Sequence, residues 1–152
     1  RADLFEGRVT VLTPEPEDWV AISYANIFWS GLGSKVVHMT ADDHDTALAT
    51  TSHLPHAVAA GMAGITPPEW LPLTAGGWRD TTRVAGGDPG MWVPIFLANR
   101  DAVLAAAERF TTRLAEFRRL LEDGDGAGLG RWLAEAKQVR DALGSGNPAA
   151  RA

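Results

Sequence analysis

Only two stretches of this chain read as β-strand, and both fall before residue 40, so any sheet is confined to one end and helices must build the rest. Residues 8–12, Arg-Val-Thr-Val-Leu, form a β-branched run closed by Thr13-Pro14. Pro14-Glu15-Pro16-Glu17-Asp18 then puts prolines and acids where a helix start favours them, and Trp19, Ile22, Ala25, Ile27, Phe28 and Trp29 supply an apolar surface. That helix should stop near Gly31-Leu32-Gly33, and Lys35-Val36-Val37-His38-Met39 reads as the second strand. Strand, helix and strand at this spacing suit a parallel crossover unit. A two-stranded sheet is marginal in water, so residues 1–39 read as the end of a larger, incomplete α/β domain.

From Thr40 the texture becomes helical. Thr40-Ala41-Asp42-Asp43 offers an N-cap with acids in the first turn, and an Ala-rich segment follows to about Ala63. Pro55 should kink this helix and free the carbonyl of Thr51 near His53 and His56. Residues 64–90 hold most of the Gly and Pro punctuation and read as loop and short helix. Asp88-Pro89 should open the longest helix, on which Phe96, Val103, Ala107, Phe110, Leu114, Phe117 and Leu121 make a near-heptad apolar seam. A stripe of that length must meet another helix, within the chain or from a second copy. Gly124, Gly126, Gly128 and Gly130 should break the helix before a final amphipathic one carrying Leu129, Trp132, Leu133, Ala136, Val139 and Leu143. The expected fold is thus mainly α: a helical domain over 40–144, preceded by the last β-α-β unit of a truncated Rossmann-type α/β domain, with a flexible tail over 145–152.

Composition narrows the partners. Hydrophobic residues at 45% and charged residues at 22% are those of a chain that fills a core. A formal charge of −5 gives no basic field for a nucleic acid, so an anionic ligand must be held by local Arg or His. The absence of cysteine rules out disulfides and thiolate chemistry and suits a cytoplasmic protein. No run approaches the roughly 20 apolar residues of a membrane span, and Arg1-Ala2-Asp3-Leu4 does not read as a signal peptide. The chain begins without Met, which suggests a piece of a longer protein.

Three constellations can carry chemistry. His53-Leu54-Pro55-His56 follows His44-Asp45, but the nine residues from His44 to His53 turn a regular helix by about 900°, so one helix does not aim both at one ion. Ordinary helix lining is the competing reading, and no metal site is expected. His-Asp is also shared with metal-dependent phosphohydrolases, whose further His and Asp positions are missing; stoichiometric metal after purification would mark that alternative. Gly76-Gly77-Trp78-Arg79-Asp80-Thr81-Thr82-Arg83 joins two glycines, which let backbone approach a ligand, to two guanidinium forks suited to carboxylate or phosphate. Asp80 is spaced to pair with Arg83 on one helical turn. The third is Asp88-Pro89-Gly90-Met91-Trp92 with Asn99-Arg100 two turns on, where Trp92 reads first as a core or interface anchor.

Taken in this order, these motifs resemble the prephenate dehydrogenase family, and Leu4-Phe5-Glu6-Gly7 with Leu12-Thr13-Pro14 resembles that family's passage out of its nucleotide-binding core. The resemblance implies NAD(P)-dependent oxidative decarboxylation of prephenate, or of arogenate, on the route to tyrosine, and a homodimer built through the helical domain. It implies that Arg83 binds a substrate carboxylate, that His56 contacts substrate and His44 lines the same pocket, and that Gly76 and Gly77 pass close to the ring. It further implies that Asp80 orients a neighbouring cation and that Trp92 reaches the site from a partner subunit. No Gly-x-Gly-x-x-Gly loop follows a strand, and the family's catalytic histidine belongs upstream of Leu4, so no catalytic residue is expected in this chain and the chain alone should be inactive. NAD or NADP would be held mainly by the missing domain. A non-catalytic dimerisation or effector-sensing module is the alternative, and would bind an effector without turnover.

Overall fold

The computed structural model describes residues 3–15 and 17–145. Both strands form: β1 (Val9–Leu12) and β2 (Lys35–His38) pair in parallel, with Val9 opposite Lys35 and Leu12 opposite His38. Helix α1 (Trp19–Gly31) makes the crossover between them. Asp18 stands at its N-cap position without a capping bond from its side chain, and Pro16 lies outside the described residues. The chain leaves α1 through Gly33 at φ +83°, where a β-carbon would sit 3.2 Å from the Glu6 backbone, so the turn requires glycine. The Gly7 amide donates to the Gly33 carbonyl at 2.8 Å and ties the first turn to that corner. Apolar side chains of the unit remain uncovered: Trp19, Tyr24 and Ile27 of α1 are each about 70% exposed.

The helix expected over 40–63 is three segments. Thr40 caps α2 (Ala41–Leu48), accepting from the Asp43 amide at 3.0 Å as its sequence requires. A π turn (Ala49–His53) follows, and α3 (Leu54–Gly64) starts with Pro55 in its first turn. The irregularity expected at Pro55 takes the form of the π turn immediately before it. The helical path runs on without a break from Ala41 to Gly64, and the extra residue of the π turn directly before Pro55 accommodates its missing N–H. Ala49 and Ala59 are buried along this path.

Residues 64–90 fold as expected into short pieces: a 3-10 segment (Pro68–Leu73), α4 (Gly76–Thr82) and a second 3-10 segment (Arg83–Gly86). The Trp78 indole N–H donates to Thr66 Oγ1 at 3.2 Å and anchors α4 to the end of α3. The long helix expected from Asp88 is divided. Asp88 caps α5 (Pro89–Ala98), its carboxylate accepting from the Gly90 amide, and Asn99 at φ −108°, ψ 34° separates it from α6 (Arg100–Glu122). Phe96 therefore lies on a different helix from the rest of the seam.

The chain divides into two compact units, Arg1–Ala106 and Ala107–Ala152. In the second, Gly124 at φ +64° ends α6, and α7 (Gly126–Ser145) begins at once. The glycines expected to break the helix are partly inside α7. Gly128 is buried, a β-carbon there would overlap Asp125 and Leu120, and its amide donates a 2.8 Å hydrogen bond to the Asp125 carboxylate. Leu120, one residue from the seam position Leu121, is the buried leucine of α6, whereas Leu114 and Leu121 are about half exposed. Arg113 bonds to Glu116 and Glu135 at 2.7 Å and lies 4.7 Å from the Trp132 ring. Partial burial works against its charge, but the two carboxylates prevail and hold its pKa above the ordinary arginine value. Of the tail expected over 145–152, Ser145 is the last residue of α7 and the rest lies outside the described residues. Among the described residues no helix is long and apolar enough to cross a membrane.

Candidate substrate site

The π turn and α3 place two imidazoles against α5. His56 stacks on Trp92 with ring centroids 3.5 Å apart, and His53 meets Trp92 and Phe96 edge-on at 6.3 Å each. His53 is only 7% exposed. The i, i+3 spacing of the histidines and the i, i+4 spacing of Trp92 and Phe96 put each pair on one helix face, so the four rings interleave. His56 Nδ1 lies 3.2 Å from the Ser52 carbonyl, which only accepts, so Nδ1 carries the proton and Nε2 is the nitrogen left for a ligand.

Beside this stack lies a cavity of about 210 Å³ lined by His56, Ala60, Val84, Gly87, Trp92 and Phe96 among others. Val84 and Ala85 reach it from the 3-10 turn that Arg83 opens. Arg83 itself is exposed, and among the described residues no carboxylate pairs with it. The expected Asp80–Arg83 pair does not form: Asp80 lies in α4, which ends at Thr82, and Arg83 opens the 3-10 turn that follows. Arg79 and Asp80 are exposed on α4.

Gly76 and Gly77 are the first residues of α4, exposed, with open space where side chains would project. Close approach occurs instead at Gly87, where a β-carbon would stand 2.5 Å from Trp92 Nε1. Gly87→Ala should push the indole off His56 and cost about 1–3 kcal/mol by overpacking, measurable as a lowered urea midpoint. His44 does not join the stack. Its Nδ1 lies 3.0 Å from the Asp45 carboxylate, outside the lining of the His56 cavity. Trp92, implied to enter from a partner subunit, lies against His56 of its own chain. Among the described residues no group of three or more His, Asp or Glu converges so as to hold a metal ion.

Sequence reasoning left three residues of this site without a role. His53 is the buried member of the histidine pair, Phe96 belongs to the ring stack rather than to the seam, and Asn99 bonds to His53 and to the backbone of Asp45. Asn99 had a signal in its place two turns after Trp92, but only the tertiary fold supplies its partners.

This geometry has close relatives. Residues 40–135 match the family described as "Prephenate dehydrogenase, dimerization domain". The chain is 34% identical over 152 residues to the cyclohexadienyl dehydrogenase of Zymomonas mobilis, covering 93% of this chain and 51% of that relative. It is 33% identical over 147 residues to the prephenate dehydrogenase of Bacillus subtilis, covering 92% and 40%. The structure superposes with a TM-score of 0.83 and 33% identity on prephenate dehydrogenase from A. aeolicus in complex with hydroxyphenyl propionate and NAD+, covering 93% of this chain and 52% of that one. Synechocystis arogenate dehydrogenase gives the same TM-score at 29% identity, with 93% and 54% covered. The chain thus spans about half the length, or less, of the curated relatives it matches. With a family match over most of its length and relatives aligned along nearly all of it, the chain belongs to the prephenate dehydrogenase family and carries its dimerization domain.

Proposed function

We propose that this chain is the substrate-binding and dimerisation part of a cytoplasmic, NAD(P)-dependent dehydrogenase that oxidatively decarboxylates prephenate or arogenate. The observation that carries the reading is the His56–Trp92 stack beside a small cavity, one residue along the chain from an uncommitted guanidinium at Arg83. Prephenate carries two carboxylates and a cyclohexadienyl alcohol, and a protein of net charge −5 needs a local cation to hold it. Arg83 supplies a planar fork for one carboxylate, with Arg79 nearby on the same stretch. His56 offers Nε2 to substrate while Nδ1 stays on the Ser52 carbonyl, which fixes the ring plane against Trp92. Loss of carbon dioxide is driven by aromatisation of the ring, so the task of these residues is orientation.

The dinucleotide does not fit the residues present. The passage from β1 into α1 lacks a glycine-rich turn, and Glu15, Glu17 and Asp18 stand where a helix N-terminus would have to receive a pyrophosphate. NAD(P) binding and the hydride step are therefore assigned to chain beyond these residues, for which the uncovered apolar side chains of α1 provide a packing surface. Dimerisation is assigned to the half-exposed seam of α6, where Leu114, Phe117 and Leu121 line an open apolar groove.

The test is reduction of NAD+ or NADP+ by the full-length protein with prephenate and with arogenate, followed by the ultraviolet absorbance of the reduced nicotinamide. Turnover of either acid is expected, and the present 152 residues alone should give none. Tight binding of an aromatic effector with no turnover by the full-length protein would overturn the reading in favour of a sensing module.

A further inference from the structure

The buried histidine His53 has its two ring nitrogens in different situations. Nδ1 lies 3.3 Å from Asn99 Nδ2, while Nε2 has no hydrogen-bond partner among the described residues and is not sealed from solvent. The same Asn99 nitrogen donates to the Asp45 backbone carbonyl at 2.8 Å. That carbonyl decides the chemistry. A carbonyl only accepts, so the amide must turn its NH2 group, not its oxygen, toward Asp45. The second hydrogen of the same NH2 then faces His53, and Nδ1 can receive it only through a lone pair. The proton of the neutral ring is left on Nε2.

We propose that Asn99 is a positioning residue that fixes His53 as the Nε2–H tautomer, so that a buried imidazole set behind the cavity lining, edge-on to the Trp92 and Phe96 rings that belong to it, keeps a hydrogen-bond donor for an oxygen of the bound acid. The proposal rests on the substrate site described above and adds to it a division of labour. His56, protonated on Nδ1 by its bond to Ser52, presents a lone pair at Nε2, whereas His53 presents a proton. Two histidines three residues apart are thereby made chemically opposite by their neighbours. Asn99 is well placed for this because it is also the break between α5 and α6: its backbone N–H donates to the Ile95 carbonyl and its own carbonyl accepts from Val103. Its side chain spans from Asp45 of α2 to His53 of the π turn.

Nitrogen NMR of the protein labelled at histidine tests this directly, with the His53 signals assigned by their loss in His53→Gln. In the unsubstituted protein at a pH where the ring is neutral, His53 should show a pyridine-type Nδ1 and a pyrrole-type Nε2. In Asn99→Asp, whose carboxylate accepts rather than donates, the pattern should reverse or the ring should become doubly protonated. In Asn99→Ala it should become a mixture. A pyrrole-type Nδ1 in the unsubstituted protein, or an unchanged pattern in both variants, would overturn the proposal. Activity on prephenate supplies the second readout: Asn99→Ala should lower kcat/KM about three- to tenfold, the size of one neutral hydrogen bond, with the NAD+ KM unchanged. A normal kcat/KM with a changed tautomer would remove His53 from ligand binding. Because the NMR pattern needs no turnover, it stands or falls independently of the substrate assignment.

Discussion

Arg83→Ala in the full-length protein is expected to raise the KM for prephenate by about 10- to 150-fold, the loss of a charged hydrogen bond worth about 1.5 to 3 kcal/mol, while the KM for NAD+ stays within about twofold. The expectation follows from the side chain's isolation. Arg83 is exposed, and no carboxylate of the described residues neutralises it, Asp80 included, although its sequence position offers it as a partner. An arginine already paired would surrender part of its attraction for a ligand; this one has none to surrender. Arg83→Lys keeps the charge and loses the planar fork, so its KM should fall between the two. Equal KM values for all three proteins would take Arg83 out of the site and leave the acid to be held from chain beyond these residues.

The second large effect is on stability. Trp132→Ala should destabilise the unit Ala107–Ala152 by about 3 kcal/mol, whereas Trp132→Phe should stay within about 1 kcal/mol of the parent. Trp132 stacks on Phe117 at 5.2 Å and receives the Arg113 guanidinium on its face. Arg113 in turn donates to the Trp132 carbonyl at 3.2 Å and to Glu135, so removing the ring unsettles the pair that joins α6 to α7. The indole Nε1, however, is buried without a hydrogen-bond partner among the described residues. Phenylalanine keeps most of the ring contact and deletes that unsatisfied donor, and the two changes oppose each other. Urea denaturation of the three proteins measures both numbers, and a Phe variant as unstable as the Ala variant would show that the N–H does find a partner in solution.

Element type was legible in the sequence wherever one local signal dominated. The β-branched runs at 8–12 and 35–39, the Thr40 and Asp88 caps and the glycine corner at Gly33 all act within a few residues, and each appears where its chemistry predicts. The misreadings share a cause. Pro55 and Gly128 read as local punctuation and Asn99 as an interior position of one long helix, but what each does is set by partners distant in sequence or by packing. Pro55 is accommodated by the π turn before it, Asn99 stands at the break between α5 and α6 with its side chain on Asp45 and His53, and Gly128 makes room for Leu120. The site was legible as residue types and not as contacts. His56, Arg83 and Trp92 were named from motifs, while the glycine that touches the indole proved to be Gly87 rather than Gly76 or Gly77.

The π turn at Ala49–His53 holds one residue more than an α-helical turn would. Deleting a single residue there would let α2 run straight into α3, and everything after it would revolve by about 100° and retreat by about 1.5 Å. His56 would swing off the Trp92 face while every helix-forming preference of the segment was kept. A length change invisible to helix content would thus misalign the two imidazoles, so circular dichroism of such a deletion should look normal while the ring stack is lost.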